Sequence, residues 1–190
     1  MSRLDLIHES QKYLTSRPLY LHLAASEPEL SGEVIEIAIL DTDGSALLEE
    51  FVHPYGAIHP EISVLHGVNS ELLRAAPPWS EVYPVVCKVL ANRKVAVYDP
   101  EYCFGSMRYS TDLDHLRWEI DESNLIDIGE LFSRFNDRWD ARMNAFQTYT
   151  MLEAAQLVGL DTEVILYRQV VEDAALLRGM LLAMAHWKVN

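Results

Sequence analysis

The chain has 190 residues, 49% of them hydrophobic, and 29 Asp and Glu against 15 Lys and Arg give it a formal net charge of −14. This length and apolar content suit one domain with a full core, so we expect residues 1–190 to form a single domain. No apolar run approaches the ~20 residues that cross a bilayer. Two cysteines make no disulfide framework, so the expectation is a reduced, cytoplasmic protein without a membrane span.

The acidic balance also bears on partners. Proteins that bind nucleic acid usually neutralise phosphates with Lys and Arg, so this charge disfavours free DNA or RNA. A locally basic groove would still bind it, because net charge says little about one site.

The first part of the chain predicts a helix followed by three antiparallel strands. Apolar residues at helical spacing predict a helix over 3–15, with Ser2 as its candidate N-cap. The short apolar runs 19–25 and 34–40 are typical of buried strands. Asp43-Gly44 favours a hairpin that leads into a third strand over 46–52.

Helices and strands alternate in the rest of the chain. Pro60 can open a helical turn that Gly67 closes, and Ser70 and Ser80 are candidate N-caps of the next two helical pieces. Strands are expected over 94–98 and 126–128, and helices over 80–91, 129–137, 148–158 and 170–185. A strand that follows a helix indicates parallel pairing. The sequence therefore predicts an α/β fold in which a mixed sheet, three antiparallel strands and then parallel strands, is flanked by helices.

Four segments in order carry recognisable motifs. They are LYLHLAAS at 19–26 followed by EVIEIA at 33–38, IHPEISVLHGV at 58–68, AVYDPEYC at 96–103, and RQVVEDA at 168–174. They resemble the DnaQ-like (DEDD) 3′–5′ exonuclease superfamily, whose members carry D-x-E before an IEI strand, then I-x-P-E…H-G-I, H-N-x-x-F-D and H-R-A-L-x-D-A. The resemblance spans residues 18–184 and implies a ribonuclease-H-like fold.

The resemblance also implies a chemistry. In that family two Mg²⁺ or Mn²⁺ ions, held by four carboxylates, hydrolyse a phosphodiester with the help of a histidine or tyrosine base. The four carboxylate positions fall in this chain on His22, Ala24, Cys103 and Asp173, and the base position falls on Arg168. Because loss of one such group often costs ~10²–10⁶-fold in rate, the resemblance implies a catalytically degenerate exonuclease-like domain that needs no cofactor.

Two alternatives keep a metal. In the first, nearby acids replace the missing ligands and support an active Mg²⁺- or Mn²⁺-dependent exonuclease on DNA or RNA; the candidates are Asp99, Glu101 and Glu172. In the second, the site has changed to a softer ion such as Zn²⁺. Its ligands would be His22, Cys103 and Asp173.

Without a metal, the domain would act as a binding module. Its acidity suits a protein partner with a basic face, and the oligomeric state is left open. A nucleic-acid end is the other candidate ligand, with His66 and Tyr102 stacking on bases and Arg168 contacting phosphate.

Overall fold

The computed structural model describes residues 2–28, 32–162 and 169–188. The helices are α1 (Arg3–Thr15), α2 (Pro60–His66), α3 (Trp79–Leu90), α4 (Pro100–Leu113), α5 (Ile128–Asn136), α6 (Met151–Leu157) and α7 (Val170–Ala185). The strands are β1 (Leu19–Ala25), β2 (Val34–Leu40), β3 (Ala46–Phe51), β4 (Val95–Val97), β5 (Leu125–Asp127), β6 (Trp139–Asp140) and β7 (Ala145–Phe146). Among the helices in these ranges, none has the length and apolar character required to span a membrane.

Five strands form one mixed sheet in the order β3-β2-β1-β4-β5. β1 pairs antiparallel with β2 and β2 with β3, whereas β4 pairs parallel with β1 and with β5. Gly44 turns the β2–β3 hairpin with a φ of 93°, a conformation that glycine adopts without steric cost. The predicted α/β fold with three antiparallel strands and then parallel strands is confirmed.

Successive side chains of a strand point to opposite faces of the sheet, and two hydrophobic clusters follow from this alternation. Tyr20 and Ala24 of β1 belong to the cluster formed with α1, α5, α6 and α7. Leu21 and Leu23 belong to the cluster formed with α3 and α4. The sheet is therefore covered on both faces. Even-numbered residues of β1 face the first cluster and odd-numbered residues face the second.

The sequence did not predict α4. Asp99 caps this helix by accepting a hydrogen bond from the Tyr102 amide at 3.0 Å, and Pro100 occupies the first helical position, where proline is tolerated. The buried face of α4 includes Ser106, Ser110 and Thr111, so it is not apolar enough to show helical periodicity. The hydroxyls of Ser110 and Thr111 donate to carbonyls one turn earlier, which allows them to be buried.

Two predicted N-caps were wrong. Glu71, not Ser70, is the N-cap of the short 3₁₀ turn at Leu72–Ala75 and makes no side-chain cap hydrogen bond, while the Asn69 side-chain oxygen accepts the Leu72 amide at 2.8 Å. Helix α3 begins one residue before Ser80 and has no side-chain cap. The Ser80 hydroxyl therefore lies within the first turn instead of preceding it.

The start of α5 approaches the end of β4 closely enough to require glycine. The Gly129 amide donates to the Tyr98 carbonyl at 3.2 Å, and a Cβ at this position would lie 2.5 Å from the same oxygen. We expect Gly129→Ala to lower the free energy of unfolding by about 2 kcal/mol, because the backbone must move to admit the methyl group. Urea denaturation measures this, with Glu130→Ala in the same helix turn expected within ~0.5 kcal/mol of wild type. A Gly129→Ala protein as stable as this control would contradict the close approach.

Candidate functional site

The β1–α7 site consists of His22, Ala24, Glu36 and Asp173. His22 lies in β1 and Asp173 in the first turn of α7, with 3.3 Å between His22 Nε2 and Asp173 Oδ2. Their side chains are 15% and 1% exposed. The two groups form an ion pair when the imidazole is protonated, and a carboxylate this deeply buried requires such compensation.

Strand register explains why these residues meet. His22 and Ala24 are two residues apart in β1 and share a face. In the antiparallel partner strand, Ala38 pairs with His22 and Glu36 pairs with Ala24. Helix α7 packs across β1 and β2. Its N-terminal turn, where an acidic residue is stabilised by the helix dipole, brings Asp173 to the same place.

Glu36 is the member of this site to which the sequence analysis assigned no role. Glu36 is only 6% exposed, and its carboxylate accepts a 3.4 Å hydrogen bond from the Val170 amide at the start of α7. Burial raises the pKa of Glu36 to about 7, and the nearby acids Glu49 and Asp173 add to the shift. The signal that could have found it is the antiparallel pairing predicted for 19–25 and 34–40, because position 36 lies opposite position 24 in that pair.

Cys103 does not join His22 and Asp173. It is 1% exposed in the cluster on the opposite face of the sheet, the one that contains Leu21 and Leu23. Burial raises the pKa of its thiol, which disfavours the thiolate that binds metals. Within residues 2–28, 32–162 and 169–188 there is no group of three His, Cys, Asp or Glu placed to hold a metal ion. The predicted zinc set of His22, Cys103 and Asp173 is therefore not assembled.

The acids proposed as substitute ligands have other positions. Asp99 is engaged as the N-cap of α4. Glu101 and Glu172 are exposed on the first turns of α4 and α7.

The predicted nucleic-acid contacts are also separated. Tyr102 is partly buried, and its hydroxyl accepts a hydrogen bond from the Ala25 amide at 3.2 Å, where the register of β1 against β2 shifts. His66 lies at the end of α2 and lines a cleft. Tyr102 is not among the described residues that line this cleft. Arg168 lies outside the residues that the structure describes.

The cleft, of about 840 Å³, lies between β2, β3, α2 and the start of α7. Three glutamates and several apolar side chains form its walls. The lining residues are Glu36, Glu49, Glu50, Phe51, Ser63, Val64, His66, Gly67, Val68, Asn69, Leu72 and Gln169. Glu36 belongs both to the cleft and to the β1–α7 site, so the two are continuous.

Known proteins share this architecture. The nuclease domain of 3′hExo, a DEDDh family member bound to rAMP, matches with a TM-score of 0.68 and 13% identity over 92% of this chain and 96% of that one. Exonuclease X in complex with 5′ overhanging duplex DNA matches with a TM-score of 0.57 and 16% identity over 90% and 93% of the two chains. The Neurospora crassa Pan2 catalytic unit matches with a TM-score of 0.66 and 10% identity over 88% of this chain and 26% of that one.

Sequence comparison gives a weaker signal. No protein-family model matches the chain. The uncharacterized exonuclease CP81 of Escherichia phage 186 is 23% identical over 93 residues, which are 49% of this chain and 48% of that protein. The match thus spans about half the length of this curated relative. The fold is that of the DnaQ-like exonucleases, as the sequence motifs indicated.

The raised pKa of Glu36 predicts a pH-dependent stability. Between about pH 4.5 and 7 the folded chain keeps a proton that the unfolded chain has lost, so this contribution is complete below pH ~4.5 and is lost as the pH rises through 7. Glu36→Gln retains an acceptor for the Val170 amide but cannot ionise. At pH 8 we expect it to be more stable than wild type by on the order of 2–3 kcal/mol, and at pH 4.5 about equal.

Urea denaturation at the two pH values checks this expectation. The exposed Glu172→Gln serves as the control and should stay within ~0.5 kcal/mol of wild type at both. An equal effect of Glu36→Gln at pH 4.5 and pH 8 would show that the carboxyl is not perturbed by burial.

Proposed function

We propose that this chain is a catalytically degenerate exonuclease-like domain that acts as a binding module. The observation that carries the proposal is the imidazole of His22 beside the buried carboxylate of Asp173, 3.3 Å away, with Ala24 two residues along the same strand. At the two β1 positions where the DnaQ-like exonucleases that this chain resembles carry carboxylates, this chain has an imidazole and a methyl group.

The chemistry of this donor set does not fit a pair of Mg²⁺ or Mn²⁺ ions. Hard divalent cations are bound by anionic oxygens, and the site offers those of Asp173 and Glu36. With a pKa of about 7, Glu36 is partly protonated at neutral pH and is a weak donor. The imidazole of His22 replaces an oxygen donor by a nitrogen donor, which hard cations do not prefer.

A binding role is supported by charge as well. The net charge of −14 and the three glutamates of the cleft repel phosphates, so they favour a partner with a basic face over a nucleic-acid end. Solved proteins with this fold include one bound to duplex DNA, and a nucleic-acid end therefore remains the second candidate ligand for this chain.

A nuclease assay tests the proposal. Purified protein is incubated with end-labelled single-stranded DNA or RNA in Mg²⁺ or Mn²⁺, and we expect no cleavage above the buffer blank. Asp173→Ala should give the same result, because there is no activity to lose. Metal-dependent release of nucleotides that disappears in Asp173→Ala would instead establish the active exonuclease.

A restored carboxylate pair provides a second test. In His22→Asp/Ala24→Glu four acids would lie together, so we expect the metal-free variant to lose ~2 kcal/mol or more of stability. Mn²⁺ should then raise the melting temperature of the variant but not that of wild type, because a ligand that binds only the folded state stabilises it.

The matched control is His22→Asn/Ala24→Gln, which has the same volume without the charge and should not respond to Mn²⁺. An equal Mn²⁺-dependent rise in the melting temperature of wild type would mean that the native site already binds the ion.

A further inference from the structure

We propose that the free edge of β3, together with the cleft beside it, binds an extended basic segment of a protein partner, which adds a strand to the sheet. The inference deepens the proposed binding function and depends on it.

The cleft runs along the edge of the sheet. Glu49, Glu50 and Phe51 are consecutive residues of β3, and all three line the cleft. Consecutive side chains of a strand point to opposite faces, so a cleft that contacts all three must pass the edge of the strand. In the described part of the chain, β3 is the outermost strand on this side.

Backbone groups on this edge are available for pairing. The Val52 amide donates inward to the Ile35 carbonyl, whereas the His53 amide donates outward to Pro77. Because inward and outward groups alternate along a strand, the backbone groups of Glu49 and Phe51 also point outward. Pro77 and Pro78 cover the edge only at His53, which leaves the preceding residues open to a partner strand.

The side chains around this edge define the partner. Across residues 2–28, 32–162 and 169–188, no Lys or Arg forms a salt bridge with Glu49 or Glu50. On the α2 side of the cleft, Val64 is 76% exposed and Leu72 is 48% exposed. A lysine or arginine side chain of the partner suits this surface. Its methylene groups would pack against Val64 or Leu72, and its charged group would lie beside a glutamate.

Charge selects among the occupants of an open edge. If a second copy of this chain paired through the same strand, the glutamates at 49 and 50 would face the same acids, and like charges opposite each other destabilise a strand pair. A nucleic-acid strand would bring phosphates to these carboxylates. A basic extended peptide satisfies both the edge hydrogen bonds and the charge, the recognition mode in which a peptide extends a sheet.

Fluorescence anisotropy with a synthetic probe tests the inference. The probe is a fluorescein-labelled peptide of alternating Lys and Val, about nine residues long and so able to span a strand of ordinary length. We expect it to bind wild type, and Glu49→Lys/Glu50→Lys to weaken binding ~10-fold or more, since the glutamate that shares a face with the peptide's lysines becomes a like charge. The matched control, Glu101→Lys/Asp112→Lys, changes the charge equally on exposed positions of α4 outside the cleft and should alter binding less than ~3-fold.

A second probe separates strand addition from simple charge attraction. The same peptide with N-methyl groups on alternate residues keeps its lysines but cannot form one row of edge hydrogen bonds, and we expect it to bind ~10-fold or more weakly. Equal loss of binding in both charge-reversed proteins would overturn the inference, and so would equal binding of both peptides. Analytical ultracentrifugation of the chain without peptide gives a further check. A wild-type dimer that becomes a monomer in Glu49→Lys/Glu50→Lys would also overturn the inference.

The degenerate-site proposal and the strand-addition inference can be overturned independently of each other. Absence of peptide binding from a protein without nuclease activity removes the strand-addition inference and leaves the degenerate-site proposal standing. Metal-dependent cleavage removes the degenerate-site proposal, whatever the peptide does.

Discussion

The contact between His22 and Asp173 is the interaction on which the interpretation of this molecule depends. A carboxylate that is 1% exposed between a sheet and a helix has lost its hydration, and its charge must be balanced by neighbouring groups. Metal ions can supply that balance where several carboxylates converge, and a protonated imidazole can supply it where one carboxylate stands beside a histidine. In this chain β1 places the imidazole of His22 3.3 Å from the carboxylate of Asp173.

Burial, more than the charge of Asp173, determines how the neighbouring carboxyl of Glu36 behaves. Glu36 lies opposite Ala24, close enough to Asp173 to feel its charge, and has a raised pKa. Its carboxyl therefore avoids full ionisation in a place where two acids lie together, and it keeps a hydrogen bond from α7. Glu36 also lines the cleft, together with Glu49, which is exposed on the edge strand.

Sequence reasoning succeeded where a residue type determines local structure and failed where packing decides. The Asp43-Gly44 turn specifies the β2–β3 hairpin. The apolar runs of β1 and β2 predict two further paired strands, and the antiparallel register of that pair places Glu36 beside Ala24. Helix α4 escaped prediction because its buried face uses hydroxyl groups, whose burial depends on hydrogen bonds that the sequence does not display. The position of Cys103 depends on how this helix rotates against the sheet. Cys103 therefore lies on the face of the sheet opposite to that of Ala24.

The β1–α7 site lies within the hydrophobic packing of the sheet. Hydrophobic clusters cover both faces of the sheet, and the β1–α7 site occupies only a small part of one of them. Four convergent carboxylates would burden such a sheet with repulsion whenever the ions are absent. An imidazole and a methyl group in two of those positions remove the burden and leave the hydrophobic packing in place. The exonuclease fold in this chain thus retains its hydrophobic packing around a site with two buried carboxyl groups, those of Glu36 and Asp173.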